Sequence, residues 1–362
     1  MIEEAIKSAA PGPLRFGERY EKSAFGGPWL LTSLGRPRLL EGSASASLEF
    51  SSSRSSGLRV AEGRAAGKSW LELVGEYGDR VAGRKGLELM ETGLALEIRF
   101  RAADAAGSPV RLPRARDPEP LGRGHPVPWL GLVIIETQPG AKIYCGRRRS
   151  LPESQFLSSL RQGLDAELLE EFSAQPGQAL VIPPGLPFAL GQGVLAYEAE
   201  VSEDPVEKTG SRTPPGLGHG GHVITAPVTA SRLFAKSVGY LDGRNAVTWL
   251  LASRLAAVAR LELRAEWSPA TGELVHESFI ALTGLEGRAL VVAGSETETI
   301  TRGRTLVVPA GAPSLRVNPG PEGAVILKTW LPDPAREIEE PLRAHGLRLR
   351  EIEGLYGLPG KK

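Results

Sequence analysis

Apolar residues along this chain come in short runs bounded by glycine and proline: Leu94–Phe100, Leu132–Ile135, Ala179–Ile182, Gly193–Tyr197, Phe279–Leu282, Ala289–Val292, Thr305–Val308 and Ala324–Leu327. Each has the length of a strand, and the turn signals between them recur at the spacing of a β-sandwich or barrel. Helical periodicity is confined to a few places. Pro152–Phe172 carries Leu and Phe at three- and four-residue spacings among acidic residues, and Ser69–Val81 and Ala246–Ala256 are shorter candidates. Thr209–His222, with two prolines and five glycines, reads as a linker.

One segment occurs twice. Gly177-Gln-Ala-Leu-Val-Ile-Pro183-Pro-Gly185-Leu-Pro-Phe188 and Gly303-Arg-Thr-Leu-Val-Val-Pro309-Ala-Gly311-Ala-Pro-Ser314 share G-x5-P-x-G-x-x, 126 residues apart. Glycine opens a turn, a buried strand follows, and Pro-x-Gly closes it in a second tight turn. Two copies predict two similar β-barrels in tandem.

The length of 362 residues allows about two domains at roughly 150 residues each. With 43 basic and 42 acidic side chains the formal charge is +1, so no bulk field draws the chain to nucleic acid or an anionic membrane. The single cysteine, Cys145, excludes an intrachain disulfide framework and reads as an inert strand-end thiol. His219 and His222 lie in the glycine-rich linker and are expected in solvent. The most apolar stretch, Trp129–Ile135, is far short of the roughly 20 residues that cross a bilayer, and Met1–Lys7 lacks the pattern of a secretory signal. A cytoplasmic protein is expected. Arginine outnumbers lysine 33 to 10 while Cys, Met and Asn are scarce, a bias in keeping with a warm-living source.

The repeated segment resembles the second signature motif of the cupin superfamily, in which the next position is usually a metal-binding His; here those positions are Phe188 and Ser314. Further matches resemble one branch, the type I phosphomannose isomerases. Phe25-Gly26-Gly27 with Leu34-Gly35 is similar to that family's Trp-Gly-Gly strand, and Gly67–Leu73 to its first helix. Pro139–Tyr144, within Leu132–Gly146, is similar to its Pro-Gly-Ala turn, and His276–Gly287 to the opening of its second cupin. The resemblance runs from about residue 20 to 330. It implies a mostly β, tandem-cupin (bicupin) architecture: an N-terminal cupin over 1–214 with a helical insertion near 150–173, a C-terminal cupin over 215–332, and a charged, partly helical tail over 333–362.

Active members bind zinc through four side chains, and the resemblance lets each be sought here. The Gln-x-His pair falls on Arg99 and Arg101, the glutamate on Leu130 beside Pro128, and the barrel His on Phe188. A zinc site needs three or four N, O or S ligands, so no metal and no cofactor is expected. The family's strand with Glu and Asp matches Glu198 and Asp204, and its catalytic arginine falls on Lys208 or Arg212.

Arg99 and Arg101, two apart on a strand, face one side. On a barrel interior they would form, with Glu198, Lys208 and Arg212, a site for a sugar phosphate or other small anion. The alternative is a salt-bridged strand face with Glu97 and other carboxylates. Phe188 is expected to fill the first barrel rather than leave it open. Two functions follow from the resemblance. One is a non-catalytic sugar-phosphate-binding protein, or a scaffold or regulator with a protein partner. The other is a mannose-6-phosphate isomerase with a rebuilt site in which Glu198, Lys208 and Arg212 act with the two arginines.

Overall fold

The computed structural model describes residues 10–36, 44–104, 106–113, 128–162, 165–204, 223–229, 233–269 and 277–356. Most of the apolar runs are strands, and longer than the runs themselves. Those of the first half are β1 (Arg19–Gly27), β2 (Ala44–Ser51), β3 (Leu94–Ala103), β4 (Trp129–Thr137), β5 (Lys142–Arg147), β6 (Leu169–Ser173), β7 (Ala179–Ile182), β8 (Phe188–Leu190) and β9 (Val194–Glu203). The second half supplies β10 (Val238–Asp242), β11 (Asn245–Ala252), β12 (Ala257–Leu263), β13 (Ile280–Ala293), β14 (Glu296–Thr301), β15 (Thr305–Val308) and β16 (Leu315–Trp330).

The first half makes a six-stranded sheet, ordered β1-β2-β3-β9-β4-β7, and a three-stranded sheet, β6-β5-β8. The second half makes one seven-stranded sheet, β10-β11-β12-β16-β13-β14, with β15 also paired to β13. Matched strand for strand, β2-β3-β9-β4-β7 and β11-β12-β16-β13-β15 follow one order. The two Gly-to-Pro-Gly segments fall in equivalent places, as β7 antiparallel to β4 and as β15 antiparallel to β13. The expectation of a mostly β, cupin-like fold holds. Among the described residues no sheet closes into a ring by strand pairing, so the two closed barrels expected from the repeat are not seen.

Two local expectations are corrected. Ala246–Ala256 is not a helix: Val247, Trp249 and Leu251 are buried, and the segment pairs on both sides as β11. Its β-branched and aromatic residues suit a pleated surface better than a helical stripe. Among its described residues the insertion near 150–173 is helical over Glu153–Gln162 and in a short turn at Ala166–Leu168, while Leu169–Ser173 is β6. The segment after 333 is helical over Pro334–Glu339, Glu340–Ala344, Leu349–Glu353 and Gly354–Tyr356, and it packs onto the second half, where Ile338, Leu342, Ile352 and Leu355 are fully buried.

Two opposite faces of the first-half sheet have different fates. Leu96, Ile98 and Phe100 of β3 and Tyr197, Ala199 and Val201 of β9 enter a large core that spans both halves and includes Phe279, Val307 and Leu327. Phe50 and Trp70 pack edge-on against Phe279 at 5.2 and 4.8 Å, and the Tyr197 hydroxyl meets Thr329 Oγ1 at 2.7 Å. Arg36, buried against Glu49 at 2.6 Å, also donates to the Gly303 carbonyl of the second half. The opposite face of the sheet looks into a smaller core formed by Leu130, Leu132, Ile134, Leu180, Ile182, Phe188 and Ala196. That inner face carries the charged residues.

Candidate functional site

β3 and β9 pair in continuous register, with Arg99 opposite Glu198, Glu97 opposite Glu200 and Arg101 opposite Ala196. Because side chains alternate along a strand, Glu97, Arg99, Arg101, Glu198 and Glu200 all fall on the inner face. Arg99 meets Glu198 directly across the ladder and Arg101 meets it diagonally, which stabilises the pair, whereas Glu97 lies directly across from Glu200, a like-charged pair offset by the neighbouring arginines.

Glu198 is the centre, with no exposed surface. Its Oε1 accepts from Arg101 Nε at 2.9 Å and from Arg111 Nη1 at 2.7 Å. Its Oε2 lies 3.9 Å from Arg99 Nε. Arg111 also reaches Glu200 at 3.3 Å, and its guanidinium stacks 5.2 Å from the centre of the Phe188 ring. Arg99 is paired with Glu97, and Glu21 of the edge strand β1 stands 3.4 Å from Arg99 and 3.6 Å from Arg101. Three guanidiniums therefore meet four carboxylates, Glu21, Glu97, Glu198 and Glu200.

Burial alone would push the Glu198 carboxyl up, yet Arg101, Arg111 and Arg99 outweigh it and hold it down at about 2. Burial lowers Arg99, with the repulsion of Arg101 acting in the same direction against Glu198 and Glu200. Arg111 is raised despite its burial, because Glu198 and Glu200 both face it. The carboxylate is thus a fixed charge at every ordinary pH. A carboxylate of such low basicity is a poor proton acceptor, although its Oε2 is buried without a hydrogen-bond partner among the described residues.

Of the residues singled out in the sequence, Arg99, Arg101 and Glu198 come together, and Lys208 and Arg212 lie outside the described residues, as do His219, His222 and His276. Leu130 is buried on β4 opposite Ile182. Phe188 is fully buried on β8, opposite Cys145 and bridged to Arg111. Asp204 accepts from Ser53 Oγ at 2.6 Å and from the Arg54 N–H, tying the end of β9 to a turn rather than facing the cluster. Cys145 is buried and its thiol is pushed up by burial, as an inert strand thiol should be.

Arg111, Glu200 and Glu21 were missed. Glu200 was legible, since it repeats the two-residue spacing from Glu198 that Arg99 and Arg101 show. Arg111 carried no such signal: it sits outside the regular strands and reaches Glu198 only because its backbone bonds to Phe188 in both directions, at 2.8 and 2.9 Å.

A cleft of about 360 Å³ opens beside the cluster, lined by Glu97, Arg111, Glu200 and Glu203 together with Trp129 and Leu130. Among the described residues, no group of three or more His, Cys, Asp or Glu side chains could hold a metal ion, and no helix is long and apolar enough to cross a membrane.

No protein-family model matches the sequence, and no curated protein matches it. Solved structures do. The mannose 6-phosphate isomerase of Bacillus subtilis superposes with a TM-score of 0.65 at 16% identity, over 88% of this chain and 99% of that one. A putative mannosephosphate isomerase from Archaeoglobus fulgidus gives 0.63 at 19% identity, over 88% and 98%. A zinc-bound mannose 6-phosphate isomerase gives 0.63 at 12%, over 88% and 99%. The strand order, the two equivalent Gly-to-Pro-Gly strands and these superpositions agree that the chain has the cupin fold of the phosphomannose isomerases.

Proposed function

We propose that this protein keeps the fold of a phosphomannose isomerase without metal-dependent isomerisation, and acts as a non-catalytic scaffold or regulatory protein. The observation that carries the reading is Glu198, a fully buried carboxylate held by three guanidiniums on the inner face that would hold a metal centre.

The residues on that face do not fit zinc, which takes three or four N, O or S ligands. Arg99 and Arg101 are donors only, Leu130 and Phe188 are hydrocarbon, and the nearest carboxylates already face arginine. Moving a proton between two carbons of a sugar needs a polarised carbonyl and a base of matched pKa. Glu198, held at about 2, is no such base.

The same charges argue against a sugar phosphate at these arginines. The three guanidiniums are already answered by Glu21, Glu97, Glu198 and Glu200, so a phosphate dianion would have to displace existing partners. A scaffold or partner-binding role is the reading this balance supports.

An assay of mannose 6-phosphate to fructose 6-phosphate conversion, with and without added zinc, tests it. Protein purified without chelator should hold less than about a tenth of an equivalent of zinc and show no turnover. Turnover that a chelator removes would establish an isomerase with a rebuilt site and sink the proposal.

A further inference from the structure

Two contacts between the halves mirror each other. β7 ends the six-stranded sheet, and on its side away from β4 Leu180 pairs with Phe234, four residues before β10, while the Ala235 N–H donates to the Ala179 carbonyl at 2.9 Å. β15 pairs with β13 on one side, and on the other Val307 exchanges hydrogen bonds with Leu14, five residues before β1, at 2.8 Å in each direction. β7 and β15 are the two copies of the Gly-to-Pro-Gly strand, and β1 and β10 hold the same place in the two sheets. Each half therefore lends the residues that lead into its first strand to the repeated strand of the other.

Further backbone and side-chain bonds cross the same seam. The helical segment Asp79–Glu91 kinks at Gly83, whose φ is 72° and where a Cβ would lie 2.4 Å from the Glu277 carbonyl oxygen. Beside that kink the Gly311 N–H donates to the Arg80 carbonyl at 2.7 Å, and the Lys85 N–H to the Glu277 carbonyl at 2.8 Å. The hydrogen-bonded pair of Tyr197 on β9 and Thr329 on β16 has no exposed surface. Parting the halves would strip the edges of β7 and β15, leave these polar groups without partners and uncover the core that holds Leu96, Phe279 and Val307.

We propose that this reciprocal strand exchange locks the two halves into one cooperative unit, so that neither opens nor unfolds without the other. Domains joined in one chain move against each other by default unless their interface is large and apolar. An apolar core by itself still permits sliding and hinge opening, because apolar burial is non-directional. Hydrogen-bonded strand pairs fix register and distance as well, and here one stands at each end of the seam. Loss of either exchanged segment is therefore felt in both halves. The inference is independent of the proposed function, since none of these residues belongs to the charge network around Glu198.

Pulse-labelling hydrogen exchange with mass spectrometry tests this on the unmodified protein across a urea series. Peptides from β3 and β12, interior strands of the two sheets, should lose protection at one midpoint. Ala235→Pro, which removes the N–H bonded to Ala179, should lower that midpoint by about 0.5 M or more, equally in both peptides. Tyr197→Phe, which removes only the hydroxyl, should lower both by roughly 0.3 M. Separate midpoints for β3 and β12 in the unmodified protein overturn the proposal. A folded Ala235→Pro protein that keeps the original midpoint, or in which one peptide shifts alone, overturns it too. Where Ala235→Pro does not fold, Tyr197→Phe decides: a shift confined to one half, or none, counts against the lock.

Discussion

In the first half, β3 and β9 turn Glu97, Arg99, Arg101, Glu198 and Glu200 inward; in the second, the equivalent β12 and β16 turn in Ala259, Leu261, Lys328 and Trp330. The strand order is shared and so is the Gly-to-Pro-Gly segment on the neighbouring strand. What differs most for chemistry is the inner face. After the first copy of the segment comes Phe188, fully buried against Arg111; after the second comes Ser314, only half-buried. One interior carries a ring and a network of seven charges beside a cleft of about 360 Å³, and the other carries tryptophans around a cleft of about 530 Å³. The frame belongs to turns and outward core residues, so a handful of inward positions can change the chemistry without changing the fold.

The largest break in this comparison should come from Phe188→Ala. Truncating a fully buried phenylalanine costs about 3–5 kcal/mol, and here it also removes the ring under Arg111. Ser314→Ala, at the matching place in the second half, should change stability by less than about 0.5 kcal/mol. Urea denaturation of the two variants checks the contrast, and equal losses would mean that the two copies carry the same load.

Next in size is the acid response of the first interior. The Glu198 pKa is lowered from 4.5 to about 2. Its contribution is therefore complete above about pH 4.5 and is lost as the pH falls towards 2, by an amount on the order of 3 kcal/mol. Glu198→Gln should flatten this part of the stability–pH curve. A curve of the same slope in both proteins would show that other carboxylates drive acid unfolding.

Smaller still is the effect of Arg101→Ala. It removes one charge-assisted hydrogen bond from Glu198 but leaves Arg111 and Arg99 in place, so the loss should be about 2 kcal/mol. Thermal melts should show the lowered stability without any sugar phosphate present, and mannose 6-phosphate should not raise the melting temperature of either protein. An unchanged melt together with a ligand-induced rise in the parent would favour an anion site over a structural network.

The alternation in Leu94–Phe100 and the spacing of Arg99 and Arg101 already place two guanidiniums on one face, because a strand repeats every two residues. The repeated glycine and proline segments likewise determine two equivalent strands: Gly177 and Gly303 both adopt positive φ, and at Gly303 a Cβ would collide with Leu34 at 2.7 Å. Short-range stereochemistry of this kind is written in local sequence. Ala246–Ala256 shows its limit, since the same apolar residues fit a helical stripe and a strand buried on one face, and only the partners β10 and β12 decide between them.

What the sequence by itself determined is the β-rich frame, its internal duplication and the side chains at each inherited position. Tertiary structure decided the rest. Arg111, more than eighty residues from Glu198, completes the network because the chain returns alongside Phe188, and Glu21 joins it from an edge strand. Three tryptophans far apart in sequence meet around Lys328 only when β11, β12 and β16 pair and the last helices cover them. Charge balance and the space in a cavity are sums over residues brought together from distant parts of the chain, and no local pattern contains those sums.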